Sequence, residues 1–112
     1  LSRIAESNLV ALLAIRSATH ATDPAGIQQW LETMRTSIAD GNREVTHYRS
    51  FVSDDRDDRL YRQSCEARDA LVAEIRSAEK MILDGERDKA REAILAKGTP
   101  LSVRMARGSP YS

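Results

Sequence analysis

The sequence predicts an all-α protein, folded as an antiparallel up-down-up-down four-helix bundle. Three observations carry this. Apolar positions Ile27, Leu31, Met34, Ile38, Gly41, Val45, Tyr48 and Val52 follow one another in alternating steps of four and three, a heptad seam. Aromatic residues are only 4% of the chain and charged residues 30%, a balance that suits Ala/Leu/Ile-cored helices and leaves little material for strands. Corner signals at 21–26, 53–55 and 84–85 divide the chain into four stretches. With 112 residues, one domain is expected.

The first helix is expected over 2–19, with Ile4, Ala5, Leu9, Leu12, Leu13 and Ile15 as its apolar residues. Thr22-Asp23-Pro24 ends it and starts the next, with Asp23 or Thr22 as cap and Pro24 in the first turn. The second helix, 24–50, carries the heptad seam. Trp30 is expected to pack at its top as hydrophobic fill.

Ser53 is a plausible cap for the third helix, 54–83. Its stripe is Leu60, Ser64, Ala67, Leu71, Ile75, Ala78 and Ile82, and Asp84-Gly85 stops it. The fourth helix is expected over 86–107, with Ala90, Ala93, Ile94, Leu101 and Met105 inward. Pro100 cannot donate to the carbonyl of Ala96, which places a kink or break near Gly98. Lys97 falls on the apolar side unless that break turns it outward. Short corners force antiparallel neighbours, hence the bundle. The middle helices come to roughly 40–45 Å at 1.5 Å per residue, longer than the outer two. The chain also opens inside a helical pattern, at Leu1-Ser2-Arg3-Ile4, as a piece of a longer protein would.

Composition narrows the function. Seventeen basic and seventeen acidic side chains give zero formal charge, against the basic excess of a nucleic-acid binder. Arg outnumbers Lys fourteen to three. Codon bias is one reading; carboxylate recognition by the planar guanidinium is the other. A lone Cys65 excludes an internal disulfide and a cysteine-based metal cluster. The run Ser53-Asp54-Asp55-Arg56-Asp57-Asp58-Arg59 lacks the Gly and distal Glu of a calcium loop, and its acids suit a helix N-terminus. His20 and His47 fall at opposite ends of the bundle. No catalytic triad, Glu-x-x-His pair or phosphate loop is visible, so neither an enzyme nor a metal or cofactor site is expected.

Arg16 is the sharpest site candidate. At about 100° per residue it falls about 20° from Leu9 and between Leu12 and Leu13, inside the apolar stripe. A guanidinium buried there without a partner costs several kcal/mol. The compensating group is a carboxylate of this chain, a twofold mate or an anionic ligand; snorkelling to solvent is the ordinary alternative. Thr19, one turn above, either adds a hydroxyl or serves the helix end. Tyr61 and Arg68 share an edge of the third helix, with Arg68 at the depth of Asn8. These three either line a lower pocket or, for Arg68, form an edge salt bridge.

Four stretches resemble the periplasmic four-helix-bundle ligand-binding domain of bacterial methyl-accepting chemotaxis receptors. They are the first helix ending AIRSAT, the DPAGIQQW entry to the second, MILDGERDKAREAIL, and the TPL proline of the fourth. The resemblance spans nearly the whole chain, as pattern and not as signature. It implies a chemotaxis sensor that binds a small molecule, a homodimer, membrane-spanning helices on both flanks and an inner-membrane location with this domain periplasmic. Some sensor histidine kinases carry the same bundle, and a cytosolic helical adaptor is the alternative from another class. In aspartate-receptor-like domains, arginines high on the first helix hold the ligand's carboxylates at the dimer interface. Arg16 sits in the corresponding stretch, whereas Asn8 and Leu13 stand where that pattern has further arginines. A small organic carboxylate is the expected ligand, with Arg16, Thr19, Asn8, Tyr61 and Arg68 as candidate contacts.

Overall fold

A computed structural model describes residues 2–98. The chain is all-α: among the described residues there are four α-helices and one π-helical turn, and no strand. They are α1 (Ser2–His20), α2 (Pro24–Arg49), α3 (Asp55–Leu83) and α4 (Arg87–Ala93), followed by the π-turn Ile94–Gly98. The first three match the expected spans to within a residue. The predicted fourth helix is an α-helix only as far as Ala93. The expected break at Pro100 and the inward positions Leu101 and Met105 lie outside the described residues. No helix among the described residues is long and apolar enough to cross a membrane.

Each corner has a local cause. Asp23 is extended, as the residue before a proline must be, and its carbonyl accepts the first helical bond from Ile27 N–H at 3.1 Å. Its carboxylate stands over Gly26, where a Cβ would come within 2.5 Å of Oδ1. At the far end, α2 tightens through i→i+3 bonds from Ser50, Phe51 and Val52, which occupy carbonyls an ordinary helix end leaves free. The cap of α3 is Asp54 and not Ser53. The Asp54 carboxylate accepts from Asp57 N–H at 2.8 Å, while the Ser53 hydroxyl donates to the Asp57 carboxylate at 3.0 Å. A carboxylate does better there, because it meets both the free N–H and the positive end of the helix dipole.

Gly85 closes α3. At φ 82° it occupies the left-handed region, its N–H reaches Ile82 O at 3.1 Å, and Glu86 N–H reaches Met81 O at 2.7 Å. That pair of bonds is a Schellman motif, and the conformation favours glycine.

The core is one cluster: Ala11, Leu12, Ala14, Ile15 and Ala18 of α1, Leu31, Met34 and Ile38 of α2, Leu71, Ile75, Ala78 and Ile82 of α3, then Ala90 and Ile94. The alanines let α1 lie close against α2, its most extensive neighbour. The heptad seam of α2 faces inward as its period requires: Leu31, Met34, Ile38 and Gly41 are buried, and Val45 and Tyr48 half-buried. Side-chain bonds register the helices against each other. Arg3 meets Glu44 at 3.7 Å, and Arg35 of α2 meets Glu79 of α3 at 2.6 Å.

Two expectations about faces are corrected. Leu9 and Leu13 are 50% and 48% exposed, because α1 turns its Leu12–Ile15–Ala18 side to the core. Trp30 is 43% exposed and does not fill the top of the core; α2 buries Leu31 and Met34 instead.

Candidate functional site

The C-terminal end of α1 carries the most chemistry. With Leu9 and Leu13 turned outward, Arg16 is turned outward with them. The expected guanidinium inside the buried stripe is therefore corrected: Leu12, on one side of Arg16, is buried, but Leu9, Leu13 and Arg16 itself are exposed. Among the described residues the Arg16 side chain has no hydrogen-bond or ion-pair partner. It stands between two hollows. The larger, about 430 Å³, is a shallow depression walled by Leu13, Arg16, Ser17, His20, Ala21 and Trp30. The smaller, about 130 Å³, is more enclosed and lies between Arg16, Thr19, His20, Arg91, Ile94 and Leu95.

The last carbonyls of α1 explain why α4 docks there. A helix end leaves carbonyls without partners and carries a partial negative charge. Arg91 Nη2 donates to Thr19 O at 3.0 Å, and Arg87 Nη1 donates to Ala21 O. Thr19 itself is buried, and its hydroxyl donates to Arg16 O at 2.6 Å. It walls the smaller hollow, yet its proton serves the helix end.

Asn8 and Arg68, seated lower, meet directly. Arg68 is only 5% exposed. Its Nε donates to Asn8 Oδ1 at 3.2 Å, Nη1 to Asn42 Oδ1 at 2.7 Å and Nη2 to Ile38 O at 3.0 Å. None of these acceptors is ionised, and among the described residues Arg68 makes no salt bridge. Burial lowers its pKa below the usual guanidinium value, and Asp69 partly offsets this. The edge salt bridge foreseen as the ordinary alternative for Arg68 is replaced by this neutral clamp.

Gly41 makes the clamp possible. A Cβ there would stand 2.5 Å from Arg68 Nη2 and 2.6 Å from Ser7 Oγ. Tyr61 lies two helical turns from Arg68, half-buried, with its ring centroid 6.0 Å from that of Tyr48. Burial raises the Tyr61 pKa, and the hydrogen bond with Cys65 raises it further.

The structure thus brings Arg16 and Thr19 to one end of α1, joins Asn8 to Arg68, and leaves Tyr61 in a third cluster. Sequence reasoning did not single out His20, Trp30 or Arg91 as part of the upper site. A signal for Arg91 was present: it sits between the inward positions Ala90 and Ile94, where a side chain skirts the neighbouring helix. Lys97 is exposed. Among the described residues no group of His, Cys, Asp and Glu could hold a metal ion. No protein-family model, curated protein or solved structure matches the chain.

Proposed function

We propose that the chain is a sensor domain that binds a small organic carboxylate at the C-terminal end of α1, in an up-down-up-down bundle of the chemoreceptor type. One observation carries the reading. Arg16, a planar donor with no acceptor among the described residues, stands at the edge of a depression walled by Trp30 and Leu13. An unmatched guanidinium beside an aromatic and an aliphatic wall is what an organic acid requires: charge-assisted bonds for its head and apolar surface for its body.

In the intact receptor the domain is periplasmic, tethered to the bacterial inner membrane by flanking helices, and paired with a second copy. The exposed stripe of Leu9 and Leu13, with Val10 and Trp30 near it, supports that pairing. Ligand binding would favour one of two helix arrangements, and α4, which holds the end of α1 through Arg87 and Arg91, is the element placed to report it. The same stripe favours a second reading, a helical adaptor whose partner covers it.

Thermal-shift screening of the 112-residue chain against organic acids and their uncharged amides tests the proposal. A ligand at a hundred times its Kd stabilises by about 2.7 kcal/mol, about ten degrees in a chain of this size. Acids that raise Tm where their amides do not would support the sensor. No shift across the panel would favour the adaptor.

A further inference from the structure

Arg91 is one of the residues lining the smaller hollow, between the end of α1 and α4. Arg91 Nε is buried and meets no acceptor among the described residues. Buried donors are nearly always satisfied, so an orphan marks a place for an acceptor such as a ligand oxygen or a water. The other guanidinium nitrogens are engaged: Nη2 donates to Thr19 O at 3.0 Å, and Nη1 lies 3.8 Å from Asp88.

Three further observations converge on the same place. Arg16, also without a partner among the described residues, lines the same hollow, as does His20. No carboxylate is among the lining residues, and the nearest one to Arg91, Asp88, lies 3.8 Å from Nη1. Ile94 and Leu95 supply the rest of the lining, and they are the first two residues of the π-turn. Such turns are rare and recur at functional sites, because the extra residue re-aims side chains and loosens the backbone ladder.

We infer that this hollow between α1 and α4 is a site for a small monocarboxylate of two or three carbons, held by Arg91 Nε on one side and Arg16 on the other. The volume, about 130 Å³, equals about four waters at roughly 30 Å³ each, enough for a carboxylate and a short carbon stub. The site lies within one chain, so occupancy needs no second copy. It would also tie the end of α1 to α4, the contact through which binding is felt. The inference rests on the reading that Arg16 serves a carboxylate; it seats a short acid on the α4 side of Arg16, away from Trp30, and adds the second arginine and the size of the acid.

The test is a titration of the full 112-residue chain with sodium acetate, followed by nuclear magnetic resonance at the arginine Nε–Hε signals. Arg91→Lys and Arg16→Lys variants assign the two signals, since lysine has none. Sodium chloride and sodium phosphate at matched ionic strength are the comparisons. Acetate should move the Arg91 signal saturably, and chloride should not. Arg91→Gln, followed at the Thr19 amide, should raise the acetate midpoint roughly ten- to a hundredfold, the worth of one charge-assisted hydrogen bond.

If acetate moves Arg16 and leaves Arg91 still, the inference is overturned while the carboxylate reading survives, with the acid in the larger depression. If neither signal moves, the inference is overturned, and the carboxylate reading stands or falls on the thermal-shift panel of larger acids. Equal movement in chloride, or movement by phosphate and not acetate, overturns the assignment to a carboxylate.

Discussion

Arg68 and Asn8, sixty positions apart in the chain, are joined inside the protein by a bond from Nε to Oδ1 at 3.2 Å. This bond ties α3 to α1, and the other two donors of Arg68 tie α3 to α2. The buried charge is held by neutral oxygens alone. Removing it takes these three donated bonds from Asn8, Asn42 and the Ile38 carbonyl. Arg68→Ala should therefore destabilise the chain by about 2–4 kcal/mol, in the range seen when a buried polar network is broken. Urea unfolding measures this. A loss under 0.5 kcal/mol would mean that the clamp contributes nothing net.

Gly41 offers a sharper test of the same clamp. In an ordinary helix interior, Gly→Ala gains about 1 kcal/mol. Here the new methyl would press on Arg68 Nη2 and Ser7 Oγ. Gly41→Ala should be destabilising in the parent and neutral or stabilising in the Arg68→Ala background. A double-mutant cycle by urea unfolding reads the change of sign. Equal effects in both backgrounds would show that Arg68 yields to the methyl without cost.

Gly85 is expected to matter for a different reason. Nothing lies within 4 Å of a Cβ placed there, so its φ of 82° alone sets the cost. Gly85→Ala should lose about 1–2 kcal/mol, and Gly85→Asn distinctly less, since Asn tolerates the left-handed region. Thermal unfolding of both variants checks the order. Asn costing as much as Ala would contradict it.

Tyr61 gives a pH dependence. Its pKa is raised in the folded chain, chiefly by burial. The neutral phenol is the form the fold prefers, so its contribution is intact below the unfolded value near 10 and is lost as pH rises through the folded one. The stability of the parent relative to Tyr61→Phe should fall between pH 9 and the alkaline limit of measurement, and stay flat below. A difference that is constant with pH would show that the phenol feels no burial.

Much of the fold was legible in the sequence, and the reasons differ by element. The α2 seam could be read because a strict four-three alternation admits one inward face, and Leu31, Met34, Ile38 and Gly41 are all buried on it. The Gly85 corner could be read because few residues end a helix as glycine does. The face of α1 could not. Leu9, Leu12 and Leu13 present apolar groups through a wide arc, and hydrophobicity alone does not choose among them. The choice fell to Ala11, Ala14 and Ala18, whose small size lets α2 approach. The same difficulty misplaced Arg16 in the core and left Arg91 unnoticed. Arg68 was placed at the depth of Asn8, but its clamp depends on Asn42 and on the bare Cα of Gly41, which no spacing rule links to it.

The exposed face of α1 should govern self-association. Leu9→Ser with Leu13→Ser removes side chains that the monomer leaves about half exposed, so the double variant should still fold, at a cost of about 2 kcal/mol from the buried halves. Sedimentation of the parent should show weak association, rising from micromolar to near-millimolar concentration, and the double variant should lose it. A tight parent dimer at the lowest concentration, or unchanged association of the variant, would count against a pairing face there.

Calorimetric titration of Arg16→Ala tests the carboxylate sensor most directly, using the acid that gives the largest thermal shift. One charge-assisted contact is worth roughly 1.5–3 kcal/mol, so Arg16→Ala should bind about ten- to a hundredfold more weakly than the parent. Arg16→Lys should recover only part of the loss, because an ammonium cannot make the planar two-pronged contact. Arg76→Ala is the control, an exposed arginine whose nearest carboxylate is Glu79 on its own helix at 3.4 Å. Each variant is first shown to be folded by circular dichroism. If Arg16→Ala binds the acid as tightly as the parent, Arg16 holds no ligand and the central claim is wrong.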